Sequence, residues 1–269
     1  MLRHVSVDPA WQNAPAALVT MEIRHPATDS LTEESSRELK HLLSDDLPIE
    51  RQAQDVAWGV GPGGSPAPAG GEQFARYVNR DGTQAASIKS QAIVIETTAP
   101  YSFEELSDIT MRVVDARSQV SSIVGVERIG LRYLLEIRVP LDADGRVDWA
   151  EWIAESLLGP QRIAPGGLAL TEWQGAAVYR EEQPGNSMIV RYGPGIGQAL
   201  DPNYYLRRTL PAQPGPYFQL DIDSFWTPVA SIPEYDRDTV RATFHNLYEP
   251  ASAVFQEILT NRLRDSLLG

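Results

Sequence analysis

"VERIGLRYLLEIRVP", residues 126–140, is the stretch whose alternation decides the fold. Every second residue gives Ile129, Leu131, Tyr133, Leu135, Ile137 and Val139 on one side. The other side carries Arg128, Gly130, Arg132, Glu136 and Arg138. A period of two with one apolar face is the pattern of a half-buried strand. The chain therefore holds a sheet with one face packed and one face polar. Three arginines beside a glycine can hold an anion, pair with carboxylates, or simply face water.

Upstream of this strand, "SFEELSDITMRVVDARSQV" (102–120) reads as a helix. Ser102 caps it, Glu105 completes a capping box, and Phe103, Leu106, Ile109, Val113 and Val114 form its apolar stripe. Before it, "EQFARYVNRDGTQAASIKSQAIVIETT" (72–98) holds two strands around the hairpin signal Asp81-Gly82 and a third after Ser90. "GPGGSPAPAGG" (61–71) reads as a hairpin loop. It lacks the Lys-Ser/Thr ending of a phosphate loop, and its prolines remove donors. Residues 52–60 read as a strand. The helix in "TDSLTEESSRELKHLLS" is capped by Ser30 or Thr32, and "APAALVTMEIRHP" (14–26) is the first strand.

Downstream, "VDWAEWIAESLLG" (147–159) is expected to be a helix ending at Gly159. Strands follow at about 168–181, at 186–192 and at 216–226, with a turn-rich segment from Gly193 to Asn203. Apolar residues from Val240 to Leu263 recur at helical spacing, and Pro250 is expected to kink or restart that last helix. The fold class is α+β: two similar halves, each a curved antiparallel sheet with helices packed on one side, ending in a long kinked C-terminal helix. The halves are placed at 1–122 and 123–269, two α+β halves or one pseudo-duplicated unit.

Composition narrows the function. With 269 residues, 42% of them hydrophobic, the chain can bury a full core. It has no cysteine, which excludes disulfides, thiolate metal sites and a cysteine nucleophile. "MLRHVSVDPAWQ" lacks a signal-peptide core, and no stretch nears the roughly 18 apolar residues of a membrane span. A soluble cytoplasmic protein is expected. The net charge of −13 argues against direct nucleic-acid binding and suits a basic protein partner, such as a nucleic-acid-binding toxin.

Several signposts occur in order along the chain: "RDG…IKSQAIVIETTAPYSFEEL", "IGLRYLLEIRVP", "LDID" and "FHNLYEPASAVFQEILTNRLRDSL". Together they resemble a large, sporadically distributed bacterial protein family of unknown function. The family pattern has an Asn where this chain has Leu135, and a His that His245 matches. The resemblance implies a shared fold, a cytoplasmic bacterial context and a defence, immunity or mobile-element role. It implies no reaction.

The candidate site residues are Arg128, Arg132, Arg138, Asp221, Asp223 and His245. Asp221 and Asp223 share one face of a strand and could hold a divalent cation or pair with arginine. Arg128 and Arg138 lie about 33 Å apart along an extended strand, too far for one small anion. Pairing of Arg132 with Asp221 or Asp223 across the sheet would satisfy both groups. His245 could act as a general base, but no nucleophile motif accompanies it. "GPGIGQAL" (193–200) lacks the third glycine of a dinucleotide loop and reads as a loop. Trp152, Trp173, Trp226, Tyr204 and Tyr205 read as packing residues.

The leading expectation is a non-catalytic binding protein, an immunity, antitoxin-like or phage-defence accessory factor, with a protein partner and with no cofactor, metal or membrane. One alternative is a metal-assisted hydrolase or nucleotide-processing enzyme using Asp221, Asp223 and His245. Another is a small-molecule sensor built around an enclosed pocket.

Overall fold

The computed structural model describes residues 15–60, 66–99, 102–163, 166, 168, 170, 172–181, 185–209 and 215–267, with backbone alone at 56–60, 66–70, 161 and 162. The first strand, β1 (Ala16–Arg24), lies at the centre of a sheet. The chain leaves it through helix α1 (Glu33–Leu42) to the outer strand β2 (Ile49–Val60). It then returns through β3 (Pro66–Val78), β4 (Gln84–Ile88) and β5 (Ala92–Thr97), which pairs with β1. Helix α2 (Phe103–Val120) follows, and β6 (Arg128–Ile137) takes the other edge of β1. Three short 3-10 segments lead to the far strand β7 (Gly175–Arg180). The path back runs through β8 (Asn186–Ile196) to β9 (Pro216–Trp226), which pairs with β6. Helices α3 (Arg237–Ile258) and α4 (Asn261–Leu267) close the chain.

The result is one nine-stranded antiparallel sheet, ordered β2-β3-β4-β5-β1-β6-β9-β8-β7. It replaces the expected sheet for each half. The β1–β6 ladder is the reason: both strands have an apolar face in the core, and an unpaired edge there would strand backbone donors and acceptors.

The helices cover one face. Val19, Met21, Ile23, Ile129, Leu131 and Ile95 meet Met111, Val114, Phe244 and Leu247 in one core cluster. Leu135, Ile137, Phe218, Leu220 and Ile222 build a second with Trp149, Trp152, Trp173 and Leu263. Within β6, Ile129, Leu131, Leu135 and Ile137 are buried, as the alternation requires. Thr32 caps α1 through the Ser35 N–H, and Ser102 with Glu105 forms the reciprocal box on α2.

Five local expectations change. Residues 147–159 do not form an α-helix, although Trp149, Trp152 and Ile153 are buried at helical spacing. Ile153 bridges Leu259, and the Ala154 N–H donates to the Ile258 carbonyl, which pulls the backbone out of helical geometry. The same bridge ends α3. Helix α3 continues through Pro250, and the restart falls at Leu259–Thr260.

The expected loop 61–71 is shorter, because 66–71 belong to β3; residues 61–65 lie outside the described residues. Pro66 and Pro68 pair only with β2, since β4 reaches β3 only at Ala75–Val78. A proline nitrogen directed to the open side forfeits no ladder bond. The strand expected at about 168–181 is confined to Gly175–Arg180. Conversely, Gly193–Ile196 of the expected turn extend β8, held by β9.

Candidate functional site

The other face of the sheet carries the candidate site. Alternation directs Arg24, Arg128, Arg132, Arg138, Arg191 and Arg76 to it, against Glu22, Glu96, Glu136, Asp221 and Asp223. Basic groups outnumber acidic ones here, in a chain whose net charge is −13. The acidic excess therefore lies elsewhere on the protein.

Arg132 and Asp221 form its centre. Arg132 donates from Nε and Nη2 to the two Asp221 oxygens at 2.7 and 2.9 Å. Arg191 on β8 reaches the same carboxylate at 3.5 Å. The Asp221 side chain is 4% exposed, while Arg132 and Arg191 keep about half of theirs in solvent. One buried carboxylate thus anchors two guanidinium groups that still face outward. The Asp221 hydrogen bonds, with burial opposing, raise the Arg132 pKa further and hold it charged.

Arg128 bridges Glu22 at 2.6 Å and Asp223 at 3.1 Å. To reach Asp223 it folds back over Gly130. A Cβ at Gly130 would sit 2.4 Å from Arg128 Nη1. Its guanidinium also stacks 4.7 Å from the Phe225 ring centre. The space that the glycine leaves is filled by the neighbouring arginine.

Arg138 serves a different cluster. It donates to Glu136 at 2.8 Å and to the Gly197 carbonyl. Glu136, 3% exposed, also accepts two bonds from Arg208 and the Ala199 N–H. Burial alone would raise this carboxyl. The Arg208, Ala199 and Arg138 bonds outweigh it and hold the group below its ordinary value.

These contacts fasten a strap, residues 197–209, across the charged face. Leu200 and Leu206 cover Ala17, Leu18, Val78, Ala85 and Leu134 beneath it. Tyr204 and Tyr205 both donate to Glu96. Arg76 lies 3.5 Å from the Tyr205 ring centre. Burial first, then the Glu96 charge, pushes both phenols up. Sequence reasoning named the tyrosines only as packing residues and missed Glu96, Arg191 and Arg208. A buried-strand Glu or an isolated loop Arg carries no sequence signal of its partner.

His245 lies on the helical side. It packs edge-on against Phe103, with ring centres 4.9 Å apart, and its Nδ1 is 3.8 Å from Glu104. Helix α3 packs on β6 and β9 through their core face, opposite Asp221 and Asp223. The sheet therefore separates His245 from both aspartates. The structure joins Arg132 to Asp221 and Arg128 to Asp223, keeps Arg138 in a neighbouring cluster and leaves His245 apart. Among the described residues, no group of three or more His, Asp or Glu side chains is placed to hold a metal ion.

In comparison with known proteins, no family model and no curated protein matches the chain.

Proposed function

We propose that the protein is a non-catalytic cytoplasmic binding protein that engages a protein partner through the open face of its sheet, beside the β7 edge. The observation that carries this reading is the Arg132–Asp221–Arg191 group. Its carboxylate is consumed internally, while two oriented guanidiniums remain half in solvent. Arginine held rigidly at a surface is a frequent anchor of protein interfaces.

The surroundings support the same reading. Val178 on β7 is exposed and sits in register beside Ile189, which neighbours Asp223. Among the described residues β7 has no outer neighbour in the sheet order, so its backbone can accept an extended segment. The partner best suited carries acidic side chains for the arginines and an apolar residue for Val178 and Ile189.

The resemblance to the sporadically distributed bacterial family favours an immunity, antitoxin-like or phage-defence accessory role. No described helix is long and apolar enough to cross a membrane. Read outward from the centre, the strand orders β1-β5-β4-β3-β2 and β6-β9-β8-β7 run in parallel fashion, which supports a duplicated unit.

The test is purification of the tagged protein from its host, wild type beside Arg191→Glu, with mass spectrometry of what co-elutes. A protein retained by the wild type and lost from the folded variant supports the reading. Identical co-elution with both, or none with either, sinks it.

A further inference from the structure

A cleft of about 190 Å³ opens at one end of the sheet, away from the arginine-rich face. It is bounded by the segment after β1, the start of α1, the β4–β5 turn and the facing parts of β2 and β3. One side belongs to Arg117, near the C-terminal end of α2.

Arg117 is 1% exposed, the largest fully buried side chain in the described protein. It donates to the Ser121 carbonyl at 2.6 Å and to Thr28 Oγ1 at 2.9 Å. Both acceptors are neutral. Its Nε has no partner, and no carboxylate pairs with it among the described residues. Burial pushes its pKa down without an acidic group to oppose that. A buried cation normally has a paired anion, because desolvating an uncompensated charge is costly.

The neighbouring groups do not supply one. Lys89, also on the cleft, is already taken by both oxygens of Asp55. His25, buried beside Arg117, uses Nδ1 on the Pro26 carbonyl, and its ring has its pKa lowered mainly by burial. The walls offer the hydroxyls of Ser30, Ser36 and Ser90 and the Gln52 amide. The same cleft includes Asp29, Glu50 and Glu72. Glu50 is paired with Lys40, and Glu72 accepts the Ser90 N–H.

We infer that this cleft binds a small zwitterion, an amino acid or a molecule of that size and charge pattern, with its carboxylate toward Arg117 and its ammonium toward Asp29 and Glu72. The volume equals that of about six waters at roughly 30 Å³ each, which suits one such molecule. A carboxylate compensates Arg117. The carboxylates of the cleft repel a polyanion and attract the ammonium. The inference is independent of the sheet-face reading, since it uses neither the same residues nor the same kind of partner.

The test is calorimetric titration of the full chain with each of the common amino acids, and with acetate, ethylamine and inorganic phosphate as controls. At least one amino acid should give saturable binding, with acetate and ethylamine each weaker by about tenfold or more, the scale of one charge-assisted hydrogen bond. Arg117→Gln should remove that binding. If this variant does not fold, the paired change of Asp29→Asn and Glu72→Gln should weaken it by a similar factor. Those groups border the cleft, and Gln retains the acceptor for Ser90. No saturable binding by any amino acid, tighter binding of phosphate, or unchanged affinity in the Asp29/Glu72 variant overturns the inference.

Discussion

Arg132 holds Asp221 diagonally across the β6–β9 ladder, two residues from the position its own register would choose. Its Cα partner is Asp223, yet its Nε and Nη2 both donate to Asp221. Asp223 is left to Arg128, which arrives from over Gly130. The shift lets two buried or half-buried carboxylates serve three arginines, with Arg132 and Arg191 meeting at Oδ2 of Asp221 and Arg128 on Asp223.

Arg132→Ala should cost about 2 kcal/mol in denaturant unfolding. That is below the 3–5 of a fully buried pair, because Arg132 is half in solvent and Arg191 remains near Asp221. Arg191→Ala, losing only the 3.5 Å contact, should cost less than about 1 kcal/mol. Equal losses would contradict the assignment of Arg132 as the main partner.

Gly130→Ala should displace Arg128 from Glu22 and Asp223. A Cβ cannot share the site with Nη1, and the guanidinium is the movable member. The loss should be about 1 kcal/mol, since charge-assisted bonds are partly offset by the better strand propensity of alanine. In an Arg128→Ala background the same change should cost nothing or stabilise. A double-mutant cycle reads this coupling, and additivity within error would refute it.

Glu136 gives the strap a pH dependence. The fold lowers its pKa below the ordinary 4.5, so the ionised form is favoured when folded. Its stabilising contribution is complete above that ordinary value and declines as pH falls through the lower folded value. Protease cleavage within 197–209 should rise below about pH 4.5 in the wild type. Glu136→Gln should be cleaved readily at neutral pH, with a flatter acid response.

Tyr204 and Tyr205 should resist ionisation. Their folded pKa values are raised above the ordinary 10.0, so the neutral phenols stabilise the fold below that value. The contribution fades as pH rises above it. Ultraviolet difference spectra should show two phenols titrating above the ordinary 10.0 that are lost in Tyr204→Phe and Tyr205→Phe, and Glu96→Gln should bring them closer to that value. Titration of both at the ordinary value would mean that the strap does not bury them.

Much of the secondary structure is legible along the chain because its causes are local. The Ser102–Glu105 box sits within one helical turn, and the Asp81-Gly82 turn needs only a glycine that tolerates φ of +69°. The expectation at 147–159 fails because its cause is distant. Trp149, Trp152 and Ile153 have helical spacing, but the backbone of Ile153 is claimed by Leu259 more than a hundred residues later. Pro250 does not restart the helix, for the related reason that a well-packed helix absorbs one missing hydrogen bond. Val240, Phe244, Leu247, Ala251 and Ile258 hold α3 on the sheet to either side of it.

The candidate site divides in the same way. Alternation in "VERIGLRYLLEIRVP" determines which residues face the core and places Arg128, Arg132 and Arg138 together on the polar side. A side-chain period of two is a property of the backbone and needs no partner. Which carboxylate each arginine meets was decided only by tertiary structure, because it depends on the register of β6 against β9. The strap over Glu136 and Glu96, and the cleft that leaves Arg117 without an anion, join segments 63 to 109 residues apart. Local sequence encodes the face of each strand, but the packed chain alone brings charges from separate segments within hydrogen-bond distance.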